Sequence, residues 1–465
     1  MNQSELVSTR LSEPHIPFLK FASYPARHGN VVRPLVDGLP ALRRICEAVE
    51  AARHSLWVTV AFATPTFQMP DGHGSFFDVL DRAVERGLDV RVLFWCPNPD
   101  TSHYSQTFSG SPTDRDLLRD GATRFSARWD RAHGAYCQHQ KSWLMDAGRP
   151  SETAFVGGIN LTPGNLGSPD HMGDRQRHDA YVEVTGPSAT DVHHNFVQRW
   201  NEASERAEQD GVWGHNGQAD LSFPDCVSAS QGESLVQIQR NVPAGLYTNG
   251  RPTPGGQTYE IAGGERSIFE QYRQAINAAR SSIYIENQAL PVPEITIRLE
   301  EALARGVDVV VLVPAEPEEH VRTARRNPAR KDFFDRIAAL GRYDNFALVG
   351  IAGQNPQGGR SNIYVHAKLM LVDDAWATIG SCNLHSNSLF EHTEMNAAFW
   401  EPKVVRALRC RLLSEHLGQH TTGLDDRAAL RLYRSVAVAN RLRGESGDSG
   451  WQGLAFSLDP ATYGI

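Results

Sequence analysis

Residues 48–58 read Ala-Val-Glu-Ala-Ala-Arg-His-Ser-Leu-Trp-Val, and residues 275–285 read Ala-Ile-Asn-Ala-Ala-Arg-Ser-Ser-Ile-Tyr-Ile. A second pair of matching stretches follows them, at residues 82–93 and 301–312. Two long stretches that recur in the same order are typical of an internal repeat. We therefore interpret the chain as the duplication of a whole domain.

Each copy alternates helix-like and strand-like sequence. An amphipathic helix precedes an apolar strand, and a second helix, ending at Gly87 or Gly306, precedes another strand at 90–95 or 309–313. Helices that connect strands favour parallel or mixed pairing, with helices covering the sheet. We predict an α/β fold, a duplicated α/β/α sandwich whose two mixed sheets face a shared central active site.

The positions of the two copies predict four segments. Residues 1–39 form an N-terminal arm, residues 40–203 form the first repeat, and residues 234–465 form the second repeat with a C-terminal helix. Residues 204–233 are polar and contain several glycines and a proline, which is typical of a linker.

The composition is that of a soluble globular protein. The 465 residues are 40% hydrophobic, and the formal net charge of -8 argues against a protein that coats nucleic acid. The six cysteines are widely spaced, so neither a zinc site nor a disulfide framework is indicated.

The first residues lack the pattern of a signal peptide, and no apolar run approaches the ~20 residues of a membrane span. We expect a cytoplasmic protein.

The same short motif occurs once in each half of the chain. The two copies are His139-Gln-Lys141-Ser-Trp-Leu-Met-Asp146 and His366-Ala-Lys368-Leu-Met-Leu-Val-Asp373. From 18 histidines and five lysines, roughly 0.2 His-x-Lys pairs are expected by chance. Two matched copies therefore indicate a functional site.

The residue types of the motif suit reaction at phosphorus. On a strand, residues two apart share a face, so the histidine and lysine point the same way, while Asp146 and Asp373 point away and are predicted to be structural. The lysine ammonium stabilises the charge that develops on a phosphodiester in the transition state. A neutral imidazole can attack phosphorus and a protonated one can protonate the leaving group, so two histidines can divide the reaction.

Small and amide residues follow each motif. We predict that Asn160, Asn383, Gly158 and Ser381 bind the phosphate of the substrate, the amides as donors and the small residues by letting the backbone come close. These donors and the lysines take the role that a cation would otherwise have. We therefore expect neither a metal nor a cofactor.

A carboxylate trails each motif, Asp179 in Arg177-His-Asp179 and Glu394 in His392-Thr-Glu394. Each could accept a hydrogen bond from Nδ1 of a catalytic imidazole and fix its tautomer. Each could also be an ordinary surface charge or a cap. Their matched placement keeps both alternatives open.

These motifs resemble the signature of the phospholipase D superfamily, two His-x-Lys-x4-Asp motifs. The resemblance covers most of the chain and is strongest to the eukaryotic-type phosphatidylcholine-cleaving phospholipases D, without their regulatory domains. The similar stretches are residues 155–161, 177–179, 186–187, 195–200, 264–268, 283–288 and 415–418. Asn160 and Ser386-Asn-Ser-Leu389 depart from the pattern of that group.

The resemblance implies a single site made by both motifs, a phosphohistidine intermediate and no metal. It also implies that His139 is the nucleophile and His366 the general acid. By the same resemblance, Glu394 orients His139 and Asp179 orients His366, so that each half supports the histidine of the other.

Three functions stay open on the sequence. The first is a phospholipase D that hydrolyses or transphosphatidylates glycerophospholipids, the second a cardiolipin synthase-like phosphatidyltransferase, and the third a nuclease-type phosphodiesterase. An inactive scaffold is disfavoured because no motif position is lost.

We expect a monomer that binds glycerophospholipid, contacts a membrane surface transiently and has no nucleic-acid partner. The basic stretch from Arg322 to Lys331 could dock on anionic lipid, or form a solvated helix face.

Overall fold

The structure is a computed structural model, and it describes residues 14–97, 108, 110–119, 124–131, 137–172, 176–203, 220–355, 357–448 and 450–465. Residues 1–13 of the predicted arm and residues 204–219 of the predicted linker lie outside the described residues. The division into four segments remains a prediction.

Strands alternate with helices along both halves of the chain. In the first half the strands are β1 (Arg27–Val36), β2 (Ser55–Val60), β3 (Asp89–Cys96), β4 (Ser126–Arg131), β5 (Ser142–Met145), β6 (Thr153–Gly157), β7 (Arg177–His178) and β8 (Ala180–Thr185). In the second half they are β9 (Ser234–Val242), β10 (Glu265–Arg266), β11 (Ser282–Asn287), β12 (Asp308–Leu312), β13 (Phe346–Gln354), β14 (Arg360–Asn362), β15 (Tyr364–Val365), β16 (Lys368–Val372), β17 (Trp376–Gly380), β18 (Glu394–Trp400) and β19 (Ala455–Leu458).

The helices lie between these strands and after the last repeat. They are α1 (Gly38–Ala51), α2 (Phe76–Glu85), α3 (Pro112–Arg119), α4 (Ala189–Glu202), α5 (Ser267–Ala278), α6 (Pro293–Ala304), α7 (Glu319–Arg326), α8 (Lys331–Leu340), α9 (Ser386–Phe390), α10 (Pro402–Leu417) and α11 (Asp426–Glu445). Short 3-10 helices occur at Pro70–Gly72, Ile261–Gly263 and Pro328–Arg330. Among the described residues, no helix is both long and apolar enough to cross a membrane.

The two halves have the same sheet topology. In the first half the strands follow the order β4-β3-β2-β5-β6-β8-β1, and in the second β13-β12-β11-β16-β17-β18-β9. In each order the first three strands are parallel and the later pairs are antiparallel. The predicted α/β fold, duplicated and with mixed sheets, is confirmed.

Each sheet buries apolar side chains on both faces. In β16, Leu369 and Leu371 join a buried cluster that contains residues of both halves, whereas Met370 and Val372 pack with residues of α5 and α6. This alternation follows from the two-residue period of a strand. One face of the sheet therefore joins the two halves, and the other carries the helices of its own half.

Strand β1 connects the two sheets. Its first part pairs with β9, through Arg27 with Val236 and Asn30 with Ser234. Its second part, from Val31 onward, pairs with β8. One strand of the predicted N-terminal arm thus hydrogen-bonds to both repeats.

The second helix of each half ends where the sequence predicts. Helix α2 ends at Glu85 and α6 at Ala304, and the glycine two residues later has φ of 86° at Gly87 and 85° at Gly306. This left-handed conformation carries little steric cost in glycine. It turns the chain from each helix directly into β3 or β12.

Candidate active site

The backbone of each motif histidine binds to the opposite half of the chain. The amide of His139 donates to the carbonyl of Thr393 at 3.0 Å, and the amide of His366 donates to the carbonyl of His178 at 2.8 Å. The short strands β7 and β15 pair in parallel at the second of these contacts. Each motif therefore lies beside the residue that precedes the carboxylate of the other half.

The carboxylates cross between the halves in the same way. Nδ1 of His139 lies 2.9 and 3.0 Å from the two carboxylate oxygens of Glu394. Nδ1 of His366 lies 2.5 Å from Oδ2 of Asp179. All four side chains are buried. A carboxylate at Nδ1 assigns the ring proton to that nitrogen and leaves Nε2 as the free base.

Burial sets the charge state of these groups. It lowers the pKa of both imidazoles well below the usual value, and the nearby Lys141 and Lys368 lower it further. Burial also raises the pKa of Glu394 and raises that of Asp179 to about 6. Without a bound anion both rings are consequently neutral at neutral pH, which is the form in which an imidazole attacks an electrophile. A ring that acts as a general acid must first take up a proton at Nε2.

The ammonium group of each motif lysine lies next to the backbone carbonyl of its own motif histidine. Nζ of Lys141 donates to the carbonyl of His139 at 2.8 Å, and Nζ of Lys368 donates to the carbonyl of His366 and to Oε1 of Gln288, the latter at 3.2 Å. Burial lowers the pKa of Lys141 to about 8 and that of Lys368 to about 7. A bound anion such as a phosphate would favour the protonated forms of both lysines, and their positive charge would in turn stabilise the anion.

Both catalytic rings face one cavity of about 670 Å³. Asn160 and Asn383 also line it. The amide oxygens of these two residues are buried and have no hydrogen-bond partner among the described residues. Because a buried polar atom without a partner is costly, these oxygens have unused capacity to accept a hydrogen bond from a ligand. Binding of a phosphate oxygen would use the Nδ2 donors instead and remains a prediction.

Gly158 and Ser381 occupy equivalent positions in the two halves, and each lies next to one of the two carboxylates, Asp179 or Glu394. A Cβ atom at Gly158 would lie 2.4 Å from Oδ1 of Asp179, so glycine is needed for the close approach of that carboxylate. Ser381 instead donates its hydroxyl to Oε2 of Glu394. Neither residue is among those that line the cavity. Their contact with a phosphate remains a prediction, whereas their contacts with the carboxylates are present.

Asp146 and Asp373 lie away from the cavity and fix a turn in each half. Oδ1 of Asp146 accepts from the amides of Arg53 and His54 at 2.9 and 2.7 Å. In the second half, Asp373 accepts from the amides that follow α5, those of residues 280, 281 and 282, at 2.8, 2.8 and 2.9 Å. Both aspartates have positive φ, 55° and 56°. Each ties the end of a motif strand to the turn between a helix and β2 or β11.

Two family models match overlapping parts of the chain. The model described as "Phospholipase D" matches residues 172–291, and the one described as "Cardiolipin synthase, PLD-like domain" matches residues 272–414. The matched regions include Asp179, the second motif and Glu394. The chain belongs to the phospholipase D superfamily.

Individual relatives agree with this superfamily. Phospholipase D A of Dictyostelium discoideum is 24% identical over 85% of this chain, which spans 36% of that longer protein. Cardiolipin synthase of Listeria innocua is 25% identical over 83% of this chain and 69% of that protein. The solved phosphatidylserine synthase of Haemophilus influenzae has a TM-score of 0.54 at 13% identity, covering 91% of this chain and 96% of that one. This last similarity concerns the fold.

The cavity of this phospholipase D superfamily member also has lining residues that the sequence did not single out. Tyr364 packs beside His366 with ring centroids 6.2 Å apart, and Phe62 meets the ring of His139 at 6.0 Å. His392 accepts from the amide of Cys137 at 3.1 Å. Tyr364 and His392 stand two positions before His366 and Glu394, but His366 and His392 lie outside the strands, so the period of a strand did not identify these lining residues. Phe62 carried no signal either.

Proposed function

We propose that this protein is a phospholipase D that hydrolyses or transphosphatidylates glycerophospholipids through a covalent phosphohistidine. The observation that carries the proposal is the pair of buried imidazoles, His139 and His366, which line one cavity and are each bound at Nδ1 by a carboxylate. Two such rings can divide attack from proton transfer. The neighbouring lysines supply the positive charge that a phosphodiester transition state requires.

The reaction proceeds in two steps on these residues. Binding of the anionic phosphodiester favours uptake of a proton at Nε2 of His366. Nε2 of His139 then attacks phosphorus and forms a P–N bond as the P–O bond to the headgroup breaks, and the protonated His366 gives its Nε2 proton to the departing alcohol. Water or a second alcohol then loses a proton to His366 and attacks phosphorus, and the P–N bond breaks. Since both displacements invert phosphorus, the configuration is retained overall.

The acceptor decides the product, because the same intermediate reacts with any alcohol that reaches it. A second candidate is therefore a cardiolipin synthase-like transferase, in which the acceptor is itself a phospholipid. The match of residues 272–414 to the cardiolipin synthase model favours keeping this candidate. A nuclease-type phosphodiesterase on the same fold is the third alternative.

Contact with a membrane is part of the proposal because the substrate resides there. The basic stretch has much of its charge balanced, since Arg322 pairs with Glu316 at 3.3 Å and Arg326 with Glu319 at 2.8 Å. Lys331 pairs with Asp335. We propose that this surface contributes a weak, transient attraction to anionic lipid.

Lipid product analysis tests the proposal. The full chain is incubated with vesicles of phosphatidylcholine or phosphatidylglycerol, with and without ethanol, and the lipids are measured by mass spectrometry. We expect phosphatidic acid without ethanol and phosphatidylethanol with it. Cardiolipin from phosphatidylglycerol would support the transferase, and cleavage of DNA without lipid turnover would support the nuclease. His139→Ala should abolish every product, whereas His28→Ala, at an exposed histidine, should not.

A further inference from the structure

A second group of histidines and carboxylates lies outside the catalytic cavity. It consists of Asp37, His171, His178 and Glu415, and we refer to it as the buried cluster. Asp37 precedes α1, His171 follows β6, His178 ends β7 and Glu415 lies in α10. Asp37, His171 and His178 are buried, and the side chain of Glu415 is only 6% exposed. None of the four lines the catalytic cavity.

Four of the six distances between the candidate ligand atoms are close to those of a four-coordinate metal site. Oδ1 of Asp37 lies 2.8 Å from Nδ1 of His178 and 3.6 Å from Nε2 of His171. Oε1 of Glu415 lies 3.0 Å from Nε2 of His171 and 3.3 Å from Nδ1 of His178. A tetrahedral zinc ion with ligands at about 2.0–2.2 Å requires edges of about 3.3–3.5 Å between ligand atoms. The four distances bracket that value.

The surroundings of the cluster suit a cation. Asp37 and Glu415 meet there, and the carboxylate of Glu286 lies 2.8 Å from Nε2 of His178. Three buried carboxylates need compensating positive charge. Glu286 at Nε2 would also hold the proton on that nitrogen and direct Nδ1 toward the cluster, which is the usual arrangement around a metal-bound histidine.

We propose that Asp37, His171, His178 and Glu415 bind one zinc ion. Two carboxylates and two neutral imidazoles neutralise the charge of the ion with nitrogen and oxygen donors, a ligand type that zinc accepts. The spacing of the cysteines gave no hint of this site because no cysteine takes part. We assign the ion a structural role, since none of its four ligands lines the catalytic cavity.

The position of the ion would connect the two halves of the enzyme. Three ligands come from the first half and Glu415 comes from the second. His178 is adjacent to Asp179, and its carbonyl accepts the amide of His366 at 2.8 Å. A metal at His178 would therefore hold the segment that orients the imidazole of His366, without taking part in the reaction at phosphorus.

The metal content of the wild-type protein tests the proposal directly. The full chain is produced in zinc-supplemented medium, freed of any affinity tag, dialysed, and analysed by inductively coupled plasma mass spectrometry. We expect about one zinc ion per chain. Crystals measured across the zinc edge should give an anomalous peak between the four side chains. Less than about 0.1 zinc per chain would overturn the proposal and leave protons on the imidazoles as the compensating charge.

Matched variants locate the ion. His171→Gln removes one ligand, and His193→Gln removes another buried histidine that pairs with a carboxylate, since Nδ1 of His193 lies 2.9 Å from Glu152. We expect His171→Gln to lose at least about 90% of the zinc and His193→Gln to keep it. Zinc retained in folded His171→Gln would place the ion elsewhere and refute the assignment. If His171→Gln does not fold, the wild-type zinc content and the anomalous peak still decide the question.

Discussion

The imidazole of His139 and the carboxylate of Glu394 belong to opposite halves of the chain, and Nδ1 of the ring lies 2.9 Å from Oε1 of the carboxylate. The converse pair, His366 with Asp179, has a distance of 2.5 Å. Each half thus supplies one motif histidine and the carboxylate that meets the histidine of the other half. Neither motif histidine has its Nδ1 carboxylate within its own half.

The crossed carboxylates should be needed for turnover although neither touches phosphorus. Glu394→Gln and Asp179→Asn keep the size of the side chain but lose its charge and its preference for the Nδ1 proton. We expect each to lower kcat by at least about 100-fold, with a smaller change in KM. Glu183→Gln is the control, because Glu183 pairs with Arg44 at 2.6 Å, away from the cavity. Activity within threefold of wild type in Asp179→Asn would show that Asp179 does not orient His366.

The two histidines should differ when the leaving group needs no proton. With a p-nitrophenyl phosphodiester, His366→Ala should still form the P–N bond and retain a phosphorylated protein, whereas His139→Ala should acquire no label. Intact-protein mass spectrometry after a short incubation measures this difference. With a natural lipid, each variant should lose most of the rate and the double variant little more, because the rings act as one unit. Label on His366 in the His139→Ala protein would reverse the roles.

The pH dependence of kcat/KM should be bell-shaped. The Asp179 carboxylate, with its pKa raised to about 6 by burial, loses its charge as the pH falls, which gives the acid limb. Lys368 and Lys141, with pKa values lowered by burial to about 7 and about 8, lose their positive charge as the pH rises, which gives the basic limb. Because the groups interact, the limbs report the site as a whole.

A bound anion should move the basic limb of kcat upward relative to that of kcat/KM, because it favours the protonated lysines. Lys368→Arg provides the check, since a guanidinium keeps its charge over this pH range. Its basic limb should shift to higher pH even if its rate is lower. A basic limb unchanged in this variant would assign the limb to a group other than Lys368.

Turnover should not require a freely exchanging divalent ion. In the proposed mechanism, the lysine and amide donors stabilise the charge that a metal would otherwise stabilise. We expect the same rate with EDTA in the assay as with added magnesium or calcium. An ion buried at Asp37 and His178 would not leave during such an assay. A rate that vanishes within minutes in EDTA and returns with one divalent ion would contradict this expectation.

The turn contacts of Asp146 should contribute to stability and not to the chemistry. Asp146→Ala leaves the amides of Arg53 and His54 without their acceptor, which costs about 1–3 kcal/mol. We expect a lower Tm by calorimetry with kcat per folded molecule preserved. Asp344→Ala, at an exposed aspartate, should leave Tm unchanged. A loss of kcat in folded Asp146→Ala would contradict the structural role.

The repeat and the period of the strands were enough to predict much of the fold. The matching stretches at 48–58 and 275–285 become the end of a helix and the start of β2 or β11, and the glycines at 87 and 306 end the next helix. Local sequence decides these features, because helix caps and alternating burial depend on neighbouring residues. The sharing of one strand face by histidine and lysine stays a prediction, because His139, Lys141 and His366 lie before the first residue of β5 or β16.

Contacts between distant residues could not be read from the sequence in this way. The matched positions of Asp179 and Glu394 suggested a role but did not say which ring each carboxylate meets. That choice depends on the pairing of Tyr364 with Arg177 and of Gln138 with Thr393 across the two halves. Only the family resemblance anticipated the crossed arrangement. The meeting of Asp37 with His178 had no local signal at all.

Strand β1 constrains how the enzyme can open. Because it hydrogen-bonds to β9 at Arg27 and Asn30 and to β8 from Val31 onward, a hinge between the halves would have to break backbone pairs. We therefore expect the two halves to keep the same relative position during turnover. On the proposed function, a lipid headgroup would then enter, and the product would leave, by rearrangement of the residues around the mouth of the cavity. These residues would set the rate at which substrate and product exchange.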